Sequence, residues 1–459
     1  MRDGLIIDMF AGGGGASVGI EMALGRSVDY AIDHDPEAIR MHMVNHPKTV
    51  HLTEDVFKVD LDKIVNGRHV SLLWASPDCT HFSKAKGGKP RKQEIRMLPF
   101  AVVKHARAIK PDVVIMENVE EIQQWGALDD NGYPIKERMG ETYHLFMKSM
   151  ENLGYKYDTR ELVAADYGAP TTRKRWYAIF RRDGEPIVWP EPTHSKQGTF
   201  GLKKWKECGD LIDWSDLGKS IFNREKPLAE TTMRRIANGF VKYVVNNPNP
   251  YIVKDQSAYA FLIQYHGEQK AGDARGQLLT EPIKTIDTSN RYGLVTAFVT
   301  KFYKTGIGQG CDEPLHTITT SQGHFGVVSA FLVKYYGSGN NCEMLDQPLA
   351  TITTRDRFGL VSTVVEINGE EYILKDIFLR MLKPEELKLM QGFPKDYIID
   401  RDINFRPYPA KEQVARIGNS VVPVMAQAIV AANCGTIRKG ERVPHVGISS
   451  GEGQIRMVI

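Results

Sequence analysis

A chain of 459 residues, 42% hydrophobic and 25% charged, has material for two or three globular domains, and a net charge of +3 excludes a polycation. Any nucleic-acid surface must therefore be a local patch. No apolar run of about 18 residues occurs, and Met1–Phe10 is short and acidic where a leader would be basic and then apolar, so the expectation is a cytoplasmic protein without a membrane segment. The five cysteines, Cys79, Cys208, Cys311, Cys342 and Cys434, are odd in number, scattered and never spaced C-x-x-C. That argues against a disulfide framework or a zinc ribbon, so no metal is expected and one cysteine can be a reactive thiol.

The first elements alternate. Leu5–Met9 is a short apolar run that breaks into Gly12-Gly13-Gly14-Gly15, and Ala16–Leu24 follows with helical character. The spacing then predicts a strand over Val28–Ile32 ending on Asp33-His34-Asp35, and a helix over Pro36–Asn45. A buried strand over Val70–Trp74 runs into Ser76-Pro77-Asp78-Cys79, and a helix over Leu98–Ile109 leads to a strand over Val113–Met116 ending on Glu117-Asn118. Strands and helices alternating at this spacing give an α/β fold with a Rossmann-like parallel sheet covered on both faces, with ligand groups at the carboxyl ends of the strands.

After Val188-Trp189-Pro190 the rhythm stops and an inserted, mainly β domain is expected over 191–373, between a first catalytic portion (1–190) and a returning one (374–434), with a loosely ordered tail over 435–459. The insert repeats with a period of roughly 33 residues. Pro282–Thr288, Pro314–Thr320 and Pro348–Thr354 share a Pro-x-x-Thr-Ile-x-Thr pattern, and each leads through a polar turn to Tyr292-Gly293-Leu294, Phe325-Gly326-Val327 or Phe358-Gly359-Leu360. A degenerate earlier copy starts at Pro227. Apolar residues alternating with threonine predict β-hairpin-like units. From Leu374 the helical pattern returns, with one helix opening at Pro384-Glu385-Glu386 and another ending near Ala432.

Several residues can carry chemistry. A glycine turn after a strand, at Asp8 to Gly14, brings a ligand close to backbone and a helix N-terminus, or is only a tight connection. Asp33 closes the next strand, where a carboxylate grips a ribose diol, and the pair points to a nucleoside ligand. Cys79 lies just past a buried strand and leads into a cationic glycine-rich loop containing Ser83, Lys84, Lys86, Lys89 and Arg91. Positive charge there favours a thiolate and can clamp phosphates, although a lone cysteine can also be inert core. Glu117, if held at its strand end without a permanent cation nearby, could keep a proton and donate it to a ring nitrogen. As an alternative, Glu117-Asn118 is a helix N-cap.

Taken together and in order, Asp-x-Phe-x-Gly-x-Gly at 8–14, Pro77-x-Cys79 with Phe82-Ser83, Glu117-Asn118-Val119, Arg173-x-Arg175 before a strand, Gln391-Gly392-Phe393-Pro394 and Gly418-Asn419-Ser420-Val421-x-Pro423 resemble the motifs of the C5-cytosine DNA methyltransferase family. The resemblance covers about residues 4–182 and 376–432, and it places the repeats in the family's variable target-recognition region. It implies methyl transfer from S-adenosylmethionine (AdoMet) to C5 of a cytosine flipped out of double-stranded DNA. On the family pattern Cys79 is the nucleophile that adds to C6, Glu117 hydrogen-bonds N3, and Arg173 and Arg175 hold the base and the cysteine's surroundings. Asp8, Phe10, Gly12, Gly14, Asp33, His34, Asp55, Pro77, Asn419 and Val421 fall where the family holds AdoMet. In that scheme Asp33 takes the ribose, His34 packs on adenine and Asp55 reaches the adenine amino group. The loop from Ser83 to Lys92 is the closing element, and a monomer is expected.

The chain departs from the family pattern at Asp78 in place of proline, Thr80 in place of glutamine and Thr171 in place of glutamine. A carboxylate beside the thiol disfavours the thiolate. In the repeats, Arg291, Gln322, His324, Arg355 and Arg357 recur at polar turns and carry groups able to read base edges, or else mark solvated hairpin tips. Methylation of cytosine in RNA and a catalytically silent AdoMet-dependent DNA-binding module are the competing readings.

Overall fold

The computed structural model describes residues 3–78, 82, 93–222, 224–253, 258–265, 275–301, 331–334, 342–344, 358–361, 364–368, 370–437, 439–440 and 454–455. Two compact units emerge. The first comprises Met1–Leu211, Pro282–Asn290 and Lys383–Ile459, and the second Ile212–Glu281 and Arg291–Leu382. These limits differ from the expected 190/191 and 373/374 boundaries, and the first repeat copy, Pro282–Thr288, belongs with the first unit.

In the first unit the chain runs β1 (Leu5–Met9), α1 (Gly15–Leu24), β2 (Tyr30–Asp33), α2 (Pro36–Asn45), β3 (Val50–Thr53), α3 (Leu61–Val65), β4 (Val70–Ala75), α4 (Gln93–Arg96), α5 (Pro99–Ile109), β5 (Val113–Asn118), α6 (Glu141–Asn152), β6 (Lys156–Val163) and β7 (Lys174–Arg181). Short strands β8 (His194–Ser195) and β9 (Lys203–Lys204) pair with each other. The main sheet has the order β3-β2-β1-β4-β5-β7-β6, parallel through β5, with β7 antiparallel to both of its neighbours, β5 and β6. Chain order reverses between β1 and β4, which opens a crevice at their carboxyl ends.

β1 and β4 are buried along their whole length because helices cover both faces. Leu5, Ile7 and Met9 join the core under α5 and α6, whereas Ile6 joins the core under α1 and the C-terminal helix. α2 starts where Asp35 caps the Glu37 N–H at 2.9 Å with Pro36 next to it.

The second unit contains β10 (Lys219–Ser220), α7 (Glu230–Phe240), β11 (Ile252–Val253), β12 (Ala258–Gln264), β13 (Gly276–Gln277), β14 (Tyr292–Lys301), β15 (Phe331–Lys334), β16 (Cys342–Met344), β17 (Phe358–Val361), β18 (Val364–Ile367) and β19 (Glu370–Met381). β12, β14 and β19 form an antiparallel centre, and β15 pairs with β16 and β17 in a separate small sheet. Two expectations are corrected here. The degenerate repeat at Pro227 runs into helix α7, because Met233, Ile236 and Phe240 recur at helical spacing and face the core of this unit. The stretch from Leu374 continues as strand β19 to Met381, paired along its length with β14. The repeat cores at 314–320 and 348–354 lie outside the described residues.

The chain returns to the first unit with α8 (Pro384–Met390), α9 (Ala410–Asn419) and α10 (Pro423–Asn433). The last two together are long and apolar enough to cross a membrane, but the helix breaks at Ser420–Val422 and 67% of that stretch is buried. The tail expected to be loose contributes β20 (Gln454–Ile455), antiparallel to β3.

α10 packs along α1, and the approach is close. A Cβ at Gly15 would lie 2.1 Å from the Val421 carbonyl oxygen, and one at Gly19 would lie 2.3 Å from that of Pro423. Gly15→Ala is expected to force this backbone pair apart and to cost about 1–3 kcal/mol, read as a lowered midpoint in thermal unfolding. An unchanged midpoint would mean that the two helices do not meet as described.

Candidate active site

The parallel strands deliver their polar ends in register: Met9 pairs with Ile32 and with Ala75, and Ala75 with Met116. Between β1 and α1 the chain turns through three left-handed residues, Phe10 (φ 61), Gly12 (φ 49) and Gly14 (φ 83). A bulky residue such as Phe10 seldom adopts that conformation outside constrained sites. Gly14 could not be larger, since a Cβ would lie 2.1 Å from the Tyr397 hydroxyl, which itself donates to the Gly13 carbonyl at 2.8 Å.

Asp33 is 8% exposed and accepts from the Gly12 N–H (2.9 Å) and the Asp35 N–H (2.9 Å), so it fastens the two strand-end turns together. His34 next to it is largely exposed, and the neighbouring Asp33 carboxylate raises its imidazole above the ordinary range. Asp55 is half-buried beyond β3 and accepts from the Phe57 N–H at 2.9 Å. Across the crevice, Val421 is buried and Asn419 exposed, and the Ser420 carbonyl accepts from Gln391 at 3.1 Å.

Asp8 does not stand open at the crevice. It is fully buried and accepts from the Ser17 hydroxyl at 2.7 Å; His42 Nε2 lies 3.0 Å from that hydroxyl, and His42 Nδ1 lies 2.8 Å from His51 Nε2. Burial pushes the Asp8 carboxyl up to about 7, with the Ser17 bond opposing and the Asp33 charge assisting. The same burial, with nearby His46, pulls His51 down to about 3. Ser17, His42, His51 and Tyr397 were missed in the sequence, since they lie on different elements and share no motif.

At the other side of the crevice, Pro77 is buried, and its carbonyl accepts from the Asn118 side chain at 3.0 Å. Phe82 returns the chain to the core, its ring 5.6 Å from that of Trp125. Cys79 lies between these anchors but outside the described residues, as do Thr80, Ser83, Lys84, Lys86, Lys89 and Arg91. Of the other thiols, Cys208 and Cys434 are buried, and burial pushes Cys434 up to about 12, which makes it inert.

Glu117 ends β5 at 7% exposure, and Arg175 Nε stands 3.2 Å from its Oε1 in ion-pair range, though not aligned as a hydrogen bond. This corrects the expectation of a carboxyl group without a permanent cation nearby: β5 and β7 run antiparallel, so the start of β7 necessarily meets the end of β5. Arg173 is 4% exposed and donates through one nitrogen to the carbonyls of Ile286 (3.2 Å) and Gly418 (2.9 Å). Its guanidinium thus joins backbone segments of the first unit. Thr171, also buried, accepts from the Arg173 N–H at 3.2 Å, and its chain pairs with Ile283.

In the second unit, Arg291 donates to the Tyr265 carbonyl at 3.2 Å. Gln322, His324, Arg355 and Arg357 lie outside the described residues. Among the described residues no group of three histidine, cysteine or acidic side chains is placed to hold a metal ion.

A family model for the C-5 cytosine-specific DNA methylases matches residues 5–434. The chain belongs to this family. Among relatives, the type II methyltransferase M1.HphI of Haemophilus parahaemolyticus is 30% identical over 200 residues, 42% of this chain and 50% of that protein. M.AquIA of Picosynechococcus is 27% identical over 220 residues, 45% of this chain and 87% of the relative. The chain thus spans about half the length of the first of these relatives. An S. pombe Dnmt2 methyltransferase structure is similar at a TM-score of 0.48 and 14% identity, covering 94% of this chain and 98% of the other. The sheet described above, parallel from β3 to β5 with helices on both faces, is Rossmann-like.

The neutral histidines set a pH dependence. Because His51 binds its proton far less readily when folded, the unfolded chain takes up more protons below the ordinary histidine range, and stability falls as pH drops from about 6.5 toward 3. Asp8, with its raised value, works in the opposite direction between about 4 and 7. His51→Gln is expected to remove about 2 kcal/mol of the stability difference between pH 7 and pH 5, measured by urea unfolding at the two values.

Proposed function

We propose that this chain is a DNA cytosine-5 methyltransferase that uses AdoMet and acts on a specific duplex sequence through a covalent adduct on Cys79. The observation that carries the reading is the buried Glu117–Arg175 pair at the carboxyl end of β5, tied through Asn118 to Pro77, two residues before Cys79. A carboxyl group and a guanidinium held at fixed spacing suit the N3, amino and O2 edge of cytosine, and in the sequence Cys79 follows the last residue of the neighbouring strand β4 by four positions.

The residues of the glycine turn fit the methyl donor. Gly12 would leave a Cβ with nothing nearer than 3.8 Å, so the turn presents open backbone, and Asp33 keeps lone pairs for a diol beyond the two N–H groups it accepts. Phe10, Gly14, His34, Asp55, Pro77, Asn419 and Val421 are proposed to complete the donor site, with Asp8 acting from beneath the turn through Ser17. AdoMet supplies an electrophilic methyl group on a sulfonium sulfur.

The chain's own residues do the rest. The Cys79 thiolate adds to C6, the C5=C6 pair shifts to form C4=C5, and N3 takes a proton from the Glu117 carboxyl group, which leaves a neutral enamine. C5 takes the methyl group and then loses its proton to water, the freed pair forms C5=C6 and expels the thiolate from C6, and N3 returns its proton to Glu117. Arg175 holds Glu117, and Arg173 ties the Ile286 and Gly418 backbone to the start of β7. Because C5 is stacked inside a duplex, the base must be extruded before attack, with the loop over Ser83–Lys92 closing behind it. The repeats, through Arg291, Gln322, His324, Arg355 and Arg357, are proposed to read the target sequence. The enzyme is proposed to modify DNA in the cytoplasm as a monomer.

The test is transfer of tritiated methyl groups from AdoMet to mixed-sequence duplex DNA, with the product base identified by mass spectrometry. 5-Methylcytosine is expected from the wild type and none from Cys79→Ala, while Glu117→Gln should lose at least about 100-fold in rate. Methylation of RNA alone, or full activity in Cys79→Ala, would overturn the reading.

A further inference from the structure

Outside the catalytic cluster, the first unit carries one element whose shape neither the core nor the proposed chemistry explains. This is the loop between β8 and β9. The two short strands pair in parallel, His194 beside Lys203 and Ser195 beside Lys204, so the connecting segment loops out and back between them. The base is fastened by backbone bonds from Lys203 to Thr193 (3.1 Å) and from Trp205 to Ser195 (3.0 Å), and by the Trp205 indole donating to Asp166 at 3.0 Å. The Ser195 hydroxyl accepts from the N–H groups of Gly198 (3.0 Å) and Thr199 (3.2 Å), which shapes the tip.

At that tip Phe200 is 100% exposed and adopts a left-handed backbone (φ 57), between Gly198 (φ 70) and Gly201 (φ 77). Bulky residues seldom take this conformation, and nothing in the loop shields the ring from water. From His194 to Lys206 the sequence has four lysines and no acidic residue. Lys196, Lys203, Lys204 and Lys206 are all exposed, and Lys204 also reaches Glu207 at 2.8 Å. The loop rises at the catalytic end of the sheet. Its base lies against Gly168, where a Cβ would be 2.6 Å from the His194 ring, and Gly168 lies between the end of β6 and the Arg173–Arg175 start of β7.

We propose that this loop is a DNA-contacting finger, with the Phe200 ring placed against a base and the four ammonium groups on the neighbouring phosphates. An isolated ring among Gln197, Thr199 and Gly201 is too small for the apolar centre of a protein interface. A nucleic acid offers both partners at once, since every base has a stacking face and every step brings phosphates within reach of flanking lysines. The inference rests on the reading of duplex DNA as the substrate, and adds to it a contact on the first unit.

The experiment measures binding of a short fluorescent duplex by anisotropy across a salt series, for wild type, Phe200→Ala, Phe200→Trp and the double variant Lys203→Ala/Lys204→Ala. Methyl transfer by the wild type is measured on the same preparation. Phe200→Ala should weaken binding about tenfold without changing the salt slope, and Phe200→Trp should restore it. The lysine variant should reduce the slope by about two. Wild-type affinity in Phe200→Ala together with an unchanged slope in the lysine variant would overturn the finger while leaving the enzyme reading intact if 5-methylcytosine forms. A wild type that neither binds duplex nor methylates it would overturn the enzyme reading, and the finger with it.

Discussion

One guanidinium holds together backbone that the sequence separates widely. Arg173 sits at the start of β7 and bonds the carbonyls of Ile286 and Gly418, residues 113 and 245 positions away. Both acceptors are neutral carbonyls, so these two contacts are charge-assisted hydrogen bonds. Removing the guanidinium would leave two buried carbonyls without this donor. Gly418 is drawn in so far that a Cβ would lie 2.1 Å from the Asp287 carbonyl oxygen. The three residues after it, Asn419, Ser420 and Val421, then reach the glycine turn, where a Cβ at Gly13 would lie 2.6 Å from the Ser420 hydroxyl. A continuous set of close contacts thus runs from the first repeat segment, through Arg173, to the turn that opens α1.

Beneath that turn the protein buries ionisable groups and keeps them paired. Asp8, Ser17, His42 and His51 form a chain of short contacts in which each donor can point toward the Asp8 carboxylate when the histidines are neutral. The direction of the histidine shifts agrees with that arrangement. Such a network fixes the floor of the turn more sharply than apolar packing would, because each member loses its partner if the backbone moves.

The legible parts of this chain were those whose signal is local. Leu5–Met9 followed by glycines, Pro36–Asn45 behind Asp35, and Val113–Asn118 each carry their period and their stop within a dozen residues, and the structure places elements there. Side chains that meet only through topology were out of reach. That Arg175 faces Glu117 follows from β7 running antiparallel to β5, which no spacing in the sequence reveals. Ser17 and His42 likewise belong to helices whose facing sides are known only once packed. The repeat pattern misled in an instructive way: Pro227–Thr232 copies the letters of the later units, but the apolar period beyond it is helical, and Pro282–Thr288 leaves the inserted unit to line the first one. Local similarity set an expectation, and burial decided the outcome.

Arg173 acts as a tie between distant segments rather than as a local side chain of β7. Hydrogen–deuterium exchange of Arg173→Gln against the wild type measures this directly. Faster exchange is expected in peptides covering both Pro282–Asn290 and Gly418–Val422, with β1, β4 and β5 unchanged. Faster exchange confined to the first residues of β7, with both distant segments as protected as in the wild type, would contradict it.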